Sequence, residues 1–143
     1  MTASKNPFDP SASQIVLVVT DDPETAALWV SLFNQKGCMA ISETSACAMQ
    51  TGRILVPWMV LVDVSIPHSE RLALCRALRS ISRGALLMLI PSGQQEIMES
   101  YAAGVDECIV QPLSPALVLV KAMAWMVRQQ LLGVNHFALE SFA

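Results

Sequence analysis

The sequence predicts a single α/β domain in which a doubly wound, parallel β-sheet is covered by helices on both faces. Short β-rich runs alternate with longer segments of helical periodicity, and five such strand and helix pairs follow one another. The chain has 143 residues, 53% of them hydrophobic, so it can bury one core without disulfide bonds and leaves no room for a second complete domain. Carboxylates follow the two most strand-like runs, at the sheet edge where ligands of open α/β sheets bind.

The first strand is the apolar run 15–19, and the first helix follows it directly. Asp22 suits the N-cap because its carboxylate can accept a hydrogen bond from a free backbone N–H, and Pro23 suits the first turn. Gly37 is expected to end this helix. A second, short strand is expected at residues 38–41.

The middle of the chain continues the same alternation. A short helix is expected at 44–50 and the third strand at 58–62. Residues 69–82 have helical periodicity, and Gly84 closes this third helix. Its apolar residues are Leu72, Leu74, Leu78 and Ile81.

The last two pairs are a strand at 85–90 with a helix from 94 to about 104, and a strand at 107–110 with a long helix from 114 to about 130. The final helix has apolar residues at spacings of three and four, which predicts a continuous apolar stripe. We expect most of the stripe to be core and part of it to be a dimer surface. The stripe consists of Leu117, Val120, Met123, Ala124 and Val127.

The two ends of the chain have a different composition. Residues 1–13 are polar, contain two prolines and lack the layout of a signal peptide, so we expect a disordered or extended segment. Residues 131–143 are interpreted as a tail or linker. The apolar alternation at 137–142 is compatible with a strand, either the start of an output domain or a frayed terminus. No apolar run is long enough to span a bilayer, and we expect a cytoplasmic protein.

Charge and cysteine usage exclude several classes of function. A net charge of −3 provides no basic surface for a nucleic-acid backbone, so direct nucleic-acid binding by this domain is not expected. The four cysteines are widely spaced and form no CxxC pair, which argues against a zinc site or a disulfide framework. We expect them to be buried thiols; they are Cys38, Cys47, Cys75 and Cys108.

Three acidic residues are the main functional candidates. Asp21 and Asp22 follow the first strand and Asp63 follows the third, so we expect them to share one pocket. Carboxylates about 4 Å apart repel by roughly 4 kcal/mol at an effective dielectric constant of 20, which favours a bound cation or a raised pKa. For Asp21 and Asp22 taken alone, helix capping is an equal alternative.

Together with their order along the chain, three segments carry a resemblance to a known family. Residues 15–22, 61–67 and 103–113 resemble the receiver domain of bacterial response regulators (CheY-like), and the resemblance extends over residues 14–130. It implies a five-stranded, flavodoxin-like sheet of order 2-1-3-4-5. It also implies that Asp63 accepts a phosphoryl group.

The resemblance further implies a magnesium site. Asp22, Asp63 and the backbone carbonyl of Ser65 would ligate Mg²⁺, with Asp21 acting mainly through a bound water. The cation would neutralise charge while Asp63 attacks in line and becomes an acyl phosphate. No enzymatic activity is expected beyond self-phosphorylation from a phosphodonor and autodephosphorylation.

The segment after the fifth strand departs from the family at one position. Gln111 stands where the family has a lysine, and an amide contributes no net charge to the pocket, so phosphorylation is expected to be slower or absent and Mg²⁺ binding weaker. The bond between Gln111 and Pro112 is expected to be cis, as the family holds it. A trans loop is the alternative.

Further positions in the sequence bear on signalling. The hydroxyl expected after the fourth strand falls on Ile90 or the following proline, and Ser92 could replace it only in a remodelled loop. Cys108 occupies the aromatic switch position, and Arg71 replaces a glycine. Coupling between the pocket and the last helices is therefore doubtful. His68 is interpreted as a solvated loop histidine with no catalytic role.

Two functions remain open. The first is a receiver domain that takes a phosphoryl group from a sensor histidine kinase or a phosphotransfer protein and relays the signal through residues 94–130, with a homodimer through the last helix. The second is a degenerate receiver that acts as a phosphorylation-independent interaction or dimerisation module. An aspartyl phosphatase of the dehalogenase type would carry a second aspartate two residues after Asp63, where this chain has Ser65.

Overall fold

The computed structural model describes residues 14–91, 93–111 and 114–141, without the side chains of Gln94 and of residues 132–141. Strands and helices alternate along the described chain. In order they are β1 Ile15–Val19, α1 Pro23–Gln35, β2 Met39–Glu43, α2 Ala48–Leu55, β3 Met59–Val62, α3 His68–Ile81, β4 Ala85–Ile90, α4 Gln94–Ala102, β5 Glu107–Val110 and α5 Pro115–Ser141.

The described strands form one parallel sheet in the order β2-β1-β3-β4-β5. This is the predicted doubly wound order, and the fold prediction is confirmed. The central strands β3 and β4 are buried along their whole length, as expected when both faces of a parallel sheet are covered. The carboxyl ends of β1, β3, β4 and β5 therefore meet at one edge of the sheet.

The core has two halves, one on each face of the sheet. Successive side chains of a strand point to opposite faces, so Val16 and Val18 pack with α1 and α5, while Leu17 and Val19 pack with α2 and α3. Phe33 of α1 is fully buried in the first half.

The start of α1 agrees with the prediction. Asp22 is the N-cap, its Oδ2 accepts a hydrogen bond of 3.1 Å from the backbone N–H of Thr25, and Pro23 opens the helix. Gly37 follows the helix with φ of 84°, a conformation that favours glycine. The second helix begins later than predicted because Thr44 to Cys47 form a turn, with the Cys47 N–H bonded to the Thr44 carbonyl.

The local structure of residues 131–141 differs from the expectation, whereas their role as a tail or linker stays a prediction. Helix α5 continues to Ser141 and does not end near residue 130, so residues 137–141 are helical and do not form a strand. In the described residues, no helix is at once long and apolar enough to cross a membrane. Residues 1–13, 142 and 143 lie outside the described part of the chain.

The predicted apolar stripe of α5 is mostly exposed, and of its five residues only Met123 packs against the core. Leu117, Val120 and Val127 are exposed, and Ala124 is also at the surface. The buried face is rotated by about one residue, because the helix has apolar side chains on more than one side and spacing alone does not decide which side meets the sheet. The residues that pack in the core are Val118, Leu119, Ala122 and Met126.

The cysteines are free thiols, but they are not all buried. Cys38 and Cys75 are buried, Cys108 is half-buried and Cys47 is exposed just before α2. Burial raises the pKa of the Cys75 thiol to about 12. The expectation of four buried thiols is therefore wrong for the exposed Cys47 and only partly met at the half-buried Cys108.

Candidate functional site

Backbone hydrogen bonds between neighbouring strands continue one residue past the ends of β3 and β5. They position the candidate residues Asp63 and Gln111. The Asp63 N–H donates to the Val19 carbonyl at 2.9 Å, and the Gln111 N–H donates to the Ile90 carbonyl at 2.9 Å. Asp63 thus stands at the end of the central strand β3, and Gln111 at the end of the edge strand β5.

Asp63 opens into a hollow with a volume of about 350 Å³, here called the Asp63 hollow. Its carboxylate is half-buried, so it is accessible from this space. The predicted residues Ser65, Ile90 and Gln111 line the same space, as does Pro91. The remaining lining residues are Val64, Ile66, Arg71 and Leu89.

The nearest polar partner of Asp63 comes from α1. The indole Nε1–H of Trp29 donates a hydrogen bond of 2.9 Å to Oδ2 of Asp63. Trp29 is only 3% exposed and packs near Phe33, with ring centroids 6.4 Å apart. A buried indole N–H usually finds an acceptor. Trp29 is seven residues after Asp22, or about two helical turns from the sheet edge. This spacing was the one sequence signal that Trp29 could reach Asp63, and it was not identified from the sequence.

Asp21 and Asp22 line a different hollow, of about 180 Å³, together with residues of β2. Asp21 accepts hydrogen bonds from the Ser45 backbone N–H at 2.8 Å and from its hydroxyl at 2.8 and 3.0 Å. The Thr25 hydroxyl donates to Oδ2 of Asp22 at 2.6 Å. That bond, with the backbone N–H of Thr25, lowers the pKa of Asp22.

The three acids therefore do not form the single pocket that the sequence predicted. Within residues 14–91, 93–111 and 114–141, no three His, Cys, Asp or Glu side chains are grouped closely enough to hold a metal ion. Carboxylate oxygens are the donor type that Mg²⁺ prefers. In this structure, however, Asp21, Asp22 and Asp63 are held by Ser45, Thr25 and Trp29, so the residues do not form a magnesium ligand set.

An arginine of α3, Arg71, is among the residues that line the Asp63 hollow. Arg71 is 6% exposed, and its Nη1 donates to the Ile66 carbonyl at 3.0 Å. Its Nη2 lies 3.3 Å from Oε2 of Glu96 and 3.4 Å from Nδ1 of His68. His68 in turn lies 3.0 Å from Oε2 of Glu99.

This network corrects two expectations. His68 is not a solvated loop residue but the first residue of α3, half-buried between Arg71 and Glu99. Arg71 fills the position of a family glycine with a buried cation that joins α3 to α4. The local sequence shows only that Arg71 replaces a glycine, because no local pattern indicates that Glu96 lies next to Arg71 and Glu99 next to His68.

The predicted switch position is occupied by a half-buried thiol. Burial raises the pKa of Cys108, whose Sγ lies 3.9 Å from the Ile97 carbonyl oxygen. The backbone N–H of Cys108 donates to the Tyr101 hydroxyl at 3.2 Å, so α4 supplies an aromatic side chain next to β5. The predictions for Ser92 and Pro112 fall outside the described residues.

The surface of α4, β5 and α5 is rich in exposed apolar side chains. This surface, called the α4-β5-α5 face, was the predicted output and dimer surface. Scattered apolar side chains are common on proteins, but a concentration on neighbouring elements is typical of interaction sites. They are Met98, Tyr101, Val110, Leu117, Val120, Val127 and Leu131.

Comparison of the sequence with known proteins identifies response regulators. The chain is 26% identical over 119 residues to the DNA-binding response regulator MtrA of Mycolicibacterium smegmatis, which covers 82% of this chain and 52% of MtrA. It is 28% identical over 71 residues to the transcriptional regulatory protein ResD of Bacillus subtilis, covering 49% of this chain and 30% of ResD. The chain thus spans about half the length of MtrA and less than a third of the length of ResD. No protein-family model matches it.

Solved structures with the same fold are receiver domains. The BeF3-activated receiver domain of RstA from Klebsiella pneumoniae superposes with a TM-score of 0.70 at 23% identity, covering 78% of this chain and 97% of that one. A CheY-like receiver domain from Methanospirillum hungatei gives a TM-score of 0.73 at 19% identity, covering 82% and 96%. The resemblance to CheY-like receiver domains is confirmed, and at these identities the structures establish the fold alone.

Proposed function

We propose that this chain, whose relatives and structural neighbours are response-regulator receiver domains, is the receiver domain of a two-component signalling protein and accepts a phosphoryl group on Asp63. One observation carries the proposal. The Asp63 carboxylate stands at the end of β3 and opens into a hollow of about 350 Å³ that also contains Ser65 and Gln111. A phosphoryl group is small enough to enter such a space.

The chemistry is a direct transfer between the donor and the carboxylate. One oxygen of Asp63 attacks phosphorus while the bond between phosphorus and the donor atom breaks, and the donor leaves with that electron pair. The product is an acyl phosphate. Since Oδ2 accepts the Trp29 indole N–H, we assign the attack to Oδ1.

The surrounding residues bind and position the group. The Gln111 amide can donate a hydrogen bond to a phosphoryl oxygen, although it brings no charge. Ser65 lines the same hollow and can donate from its hydroxyl. In their present arrangement the acids are not gathered around a cation. Asp22, Asp63 and the Ser65 carbonyl would hold Mg²⁺ only in a rearranged site in which Asp22 leaves Thr25 and Asp63 leaves Trp29, and the cation would then neutralise charge there.

The partners follow from the proposed role. A sensor histidine kinase or a phosphotransfer protein would supply the phosphoryl group, and the α4-β5-α5 face would pass the signal on, including by homodimerisation. Because MtrA and ResD are longer than this chain, DNA binding and transcription regulation would depend on an output domain joined to it.

Intact-mass spectrometry tests the proposal directly. The protein is incubated with Mg²⁺ and acetyl phosphate beside the Asp63→Asn variant, which preserves the size of the side chain and one acceptor oxygen but removes the nucleophilic carboxylate. A Mg²⁺-dependent gain of one phosphoryl group that is absent in the variant is the expected result. A gain that persists in Asp63→Asn would place the phosphoacceptor elsewhere.

A second function is favoured by a specific observation. Asp63 is held by Trp29, and the acids do not converge, as expected of a receiver that keeps the fold without the phosphorylation chemistry. Such a chain would act as a phosphorylation-independent interaction or dimerisation module. No mass gain under conditions that phosphorylate a standard receiver would favour this function. Sedimentation at high concentration would then show whether the chain associates with itself.

A further inference from the structure

The positive charge in the Asp63 hollow comes from Arg71, at a position where the resembled family has a glycine. Gln111 contributes no charge, and among the described residues that line the hollow Arg71 is the only cation. The guanidinium is held in place by the Ile66 carbonyl, at 3.0 Å from Nη1. An oxyanion entering the hollow would therefore meet one fixed cation, which comes from α3 rather than from the end of β5.

The hydrogen bonding of Arg71 is incomplete. Its Nε is buried and has no hydrogen-bond partner among the described residues. The whole side chain is only 8% exposed, so water has little access to it. Buried donors in folded proteins are nearly always paired. Arg71 lines the hollow and keeps one guanidinium N–H that no described residue accepts, so it has donor capacity left for a ligand with several acceptor oxygens.

The contact of Arg71 with Glu96 is weak enough to be exchanged. It consists of a single pair of atoms, Nη2 and Oε2, at 3.3 Å, and the Glu96 side chain is 31% exposed. A tetrahedral oxyanion carries more charge than one carboxylate and can accept from two donors of the guanidinium fork at once. It would compete well for Arg71.

We propose that Arg71 binds the oxygens of a phosphoryl group or of inorganic phosphate in the Asp63 hollow, in exchange for its contact with Glu96. The covalent form of this ligand rests on the proposed function, but binding of free phosphate does not. In a phosphorylated domain, the exchange would also connect the hollow to α4 without a tyrosine at position 108. Glu96 is in the first turn of α4, so its release changes the contacts between α3 and α4 next to the α4-β5-α5 face.

The test is a titration of ¹⁵N-labelled protein with inorganic phosphate, followed by NMR at constant ionic strength maintained with sodium chloride. Three variants are compared with the wild type. Glu96→Gln removes the competing carboxylate and should tighten phosphate binding about two- to fivefold, the worth of a partly exposed ion pair. Glu70→Gln is the charge-matched control on exposed α3 surface and should bind as the wild type does. Arg71→Gln should weaken binding about tenfold or more.

The expected spectra change at the hollow and at α4 in the wild type. In Arg71→Gln both sets of changes should be lost. Because Arg71 is buried, the Arg71→Gln result is interpreted only if its spectrum shows a folded protein. Glu96→Gln changes a partly exposed side chain, so it tests the proposal by itself if Arg71→Gln does not fold. Equal affinity of Glu96→Gln and Glu70→Gln, or unchanged affinity in a folded Arg71→Gln, would overturn the proposal.

Failure of this inference is distinguishable from failure of the proposed function. If acetyl phosphate adds no mass while phosphate binding depends on Arg71, the phosphoacceptor role of Asp63 fails and the Arg71 site stands. If the protein gains a phosphoryl group at the same rate in a folded Arg71→Gln and the wild type, and phosphate binding is unaffected, Asp63 stands and the Arg71 site is wrong.

Discussion

The indole Nε1–H of Trp29 and the carboxylate Oδ2 of Asp63 are joined by a hydrogen bond of 2.9 Å between α1 and the end of β3. The bond connects the best candidate phosphoacceptor to a side chain that is almost completely buried. Since hydrogen bonds to charged groups contribute about 1.5–3 kcal/mol net, this one holds Asp63 in a defined position and resists its movement towards a cation.

Replacing Trp29 with phenylalanine should release Asp63. The Trp29→Phe variant keeps an aromatic ring beside Phe33 but loses the N–H, so unfolding free energy should fall by about 1–2 kcal/mol. If the bond restrains the reaction, phosphorylation by acetyl phosphate should be faster by up to about tenfold. Intact mass against time gives the rate, and urea unfolding gives the stability.

The matched control for this substitution is Trp125→Phe. Its indole also donates to a carboxylate, Oε1 of Glu107, at 2.7 Å, but it lies on α5 and its acceptor is not Asp63. Its phosphorylation rate should equal that of the wild type. Equal acceleration in both variants would show that the effect of Trp29→Phe is general loosening of the fold.

Gly84 should not tolerate a side chain, for a steric reason. A Cβ at this position would lie 2.5 Å from the Pro57 carbonyl oxygen and 2.6 Å from that of Trp58, and backbone atoms cannot yield as a side-chain end can. Gly84→Ala should lose about 2 kcal/mol or more of unfolding free energy. Gly37→Ala meets no atom within 4 Å and has only the strain of its φ of 84°, so about 1 kcal/mol is expected. Urea unfolding that ranks Gly37→Ala as the worse variant would contradict this.

Arg79 should be irreplaceable by lysine because its guanidinium joins several segments. It donates to the Gly104 and Gly84 carbonyls at 3.0 Å each and to Oδ2 of Asp106 at 2.6 Å. A lysine ammonium cannot reach these acceptors together, so Arg79→Lys should lose about 1–3 kcal/mol. The exposed Arg76 on the same helix provides the control, and Arg76→Lys should change thermal stability little. Similar melting temperatures for the two variants would refute a structural role for the three hydrogen bonds of the Arg79 guanidinium.

Glu107 should make stability depend on acid pH. Burial tends to raise its pKa, but hydrogen bonds from Lys121 and Trp125 outweigh burial and hold the pKa below its ordinary value. A lowered pKa stabilises the fold above the ordinary carboxylate range, and this contribution is lost as pH falls through the folded-state pKa. Glu107→Gln should therefore lose stability at neutral pH and flatten the decline on acidification. Urea unfolding from pH 7 to pH 3 measures both, with the exposed Glu24→Gln as control. A decline as steep as in the wild type would exclude Glu107 as a contributor.

The sequence by itself determined the architecture of this protein. Runs such as Ile15–Val19 and Ala85–Ile90 are apolar throughout, and the Asp22, Pro23 and Gly37 signals depend on local backbone chemistry, so strand and helix identity could be derived residue by residue. The placement of Asp63 and Gln111 at the same sheet edge also followed, because parallel strands end together.

Tertiary structure alone decided what surrounds Asp63. Trp29 is 34 residues from Asp63 and Glu96 is 25 residues from Arg71, and no local pattern encodes contacts across such separations. The same holds for α5, whose several apolar sides left the choice of buried face to the shape of the sheet and of α1. Side-chain direction also mattered: Asp21 and Asp22 were correctly placed at the edge, yet hydrogen bonds to Ser45 and Thr25 turn them into a separate hollow. Local propensity specifies the elements, whereas packing and competition among hydrogen-bond partners determine the site.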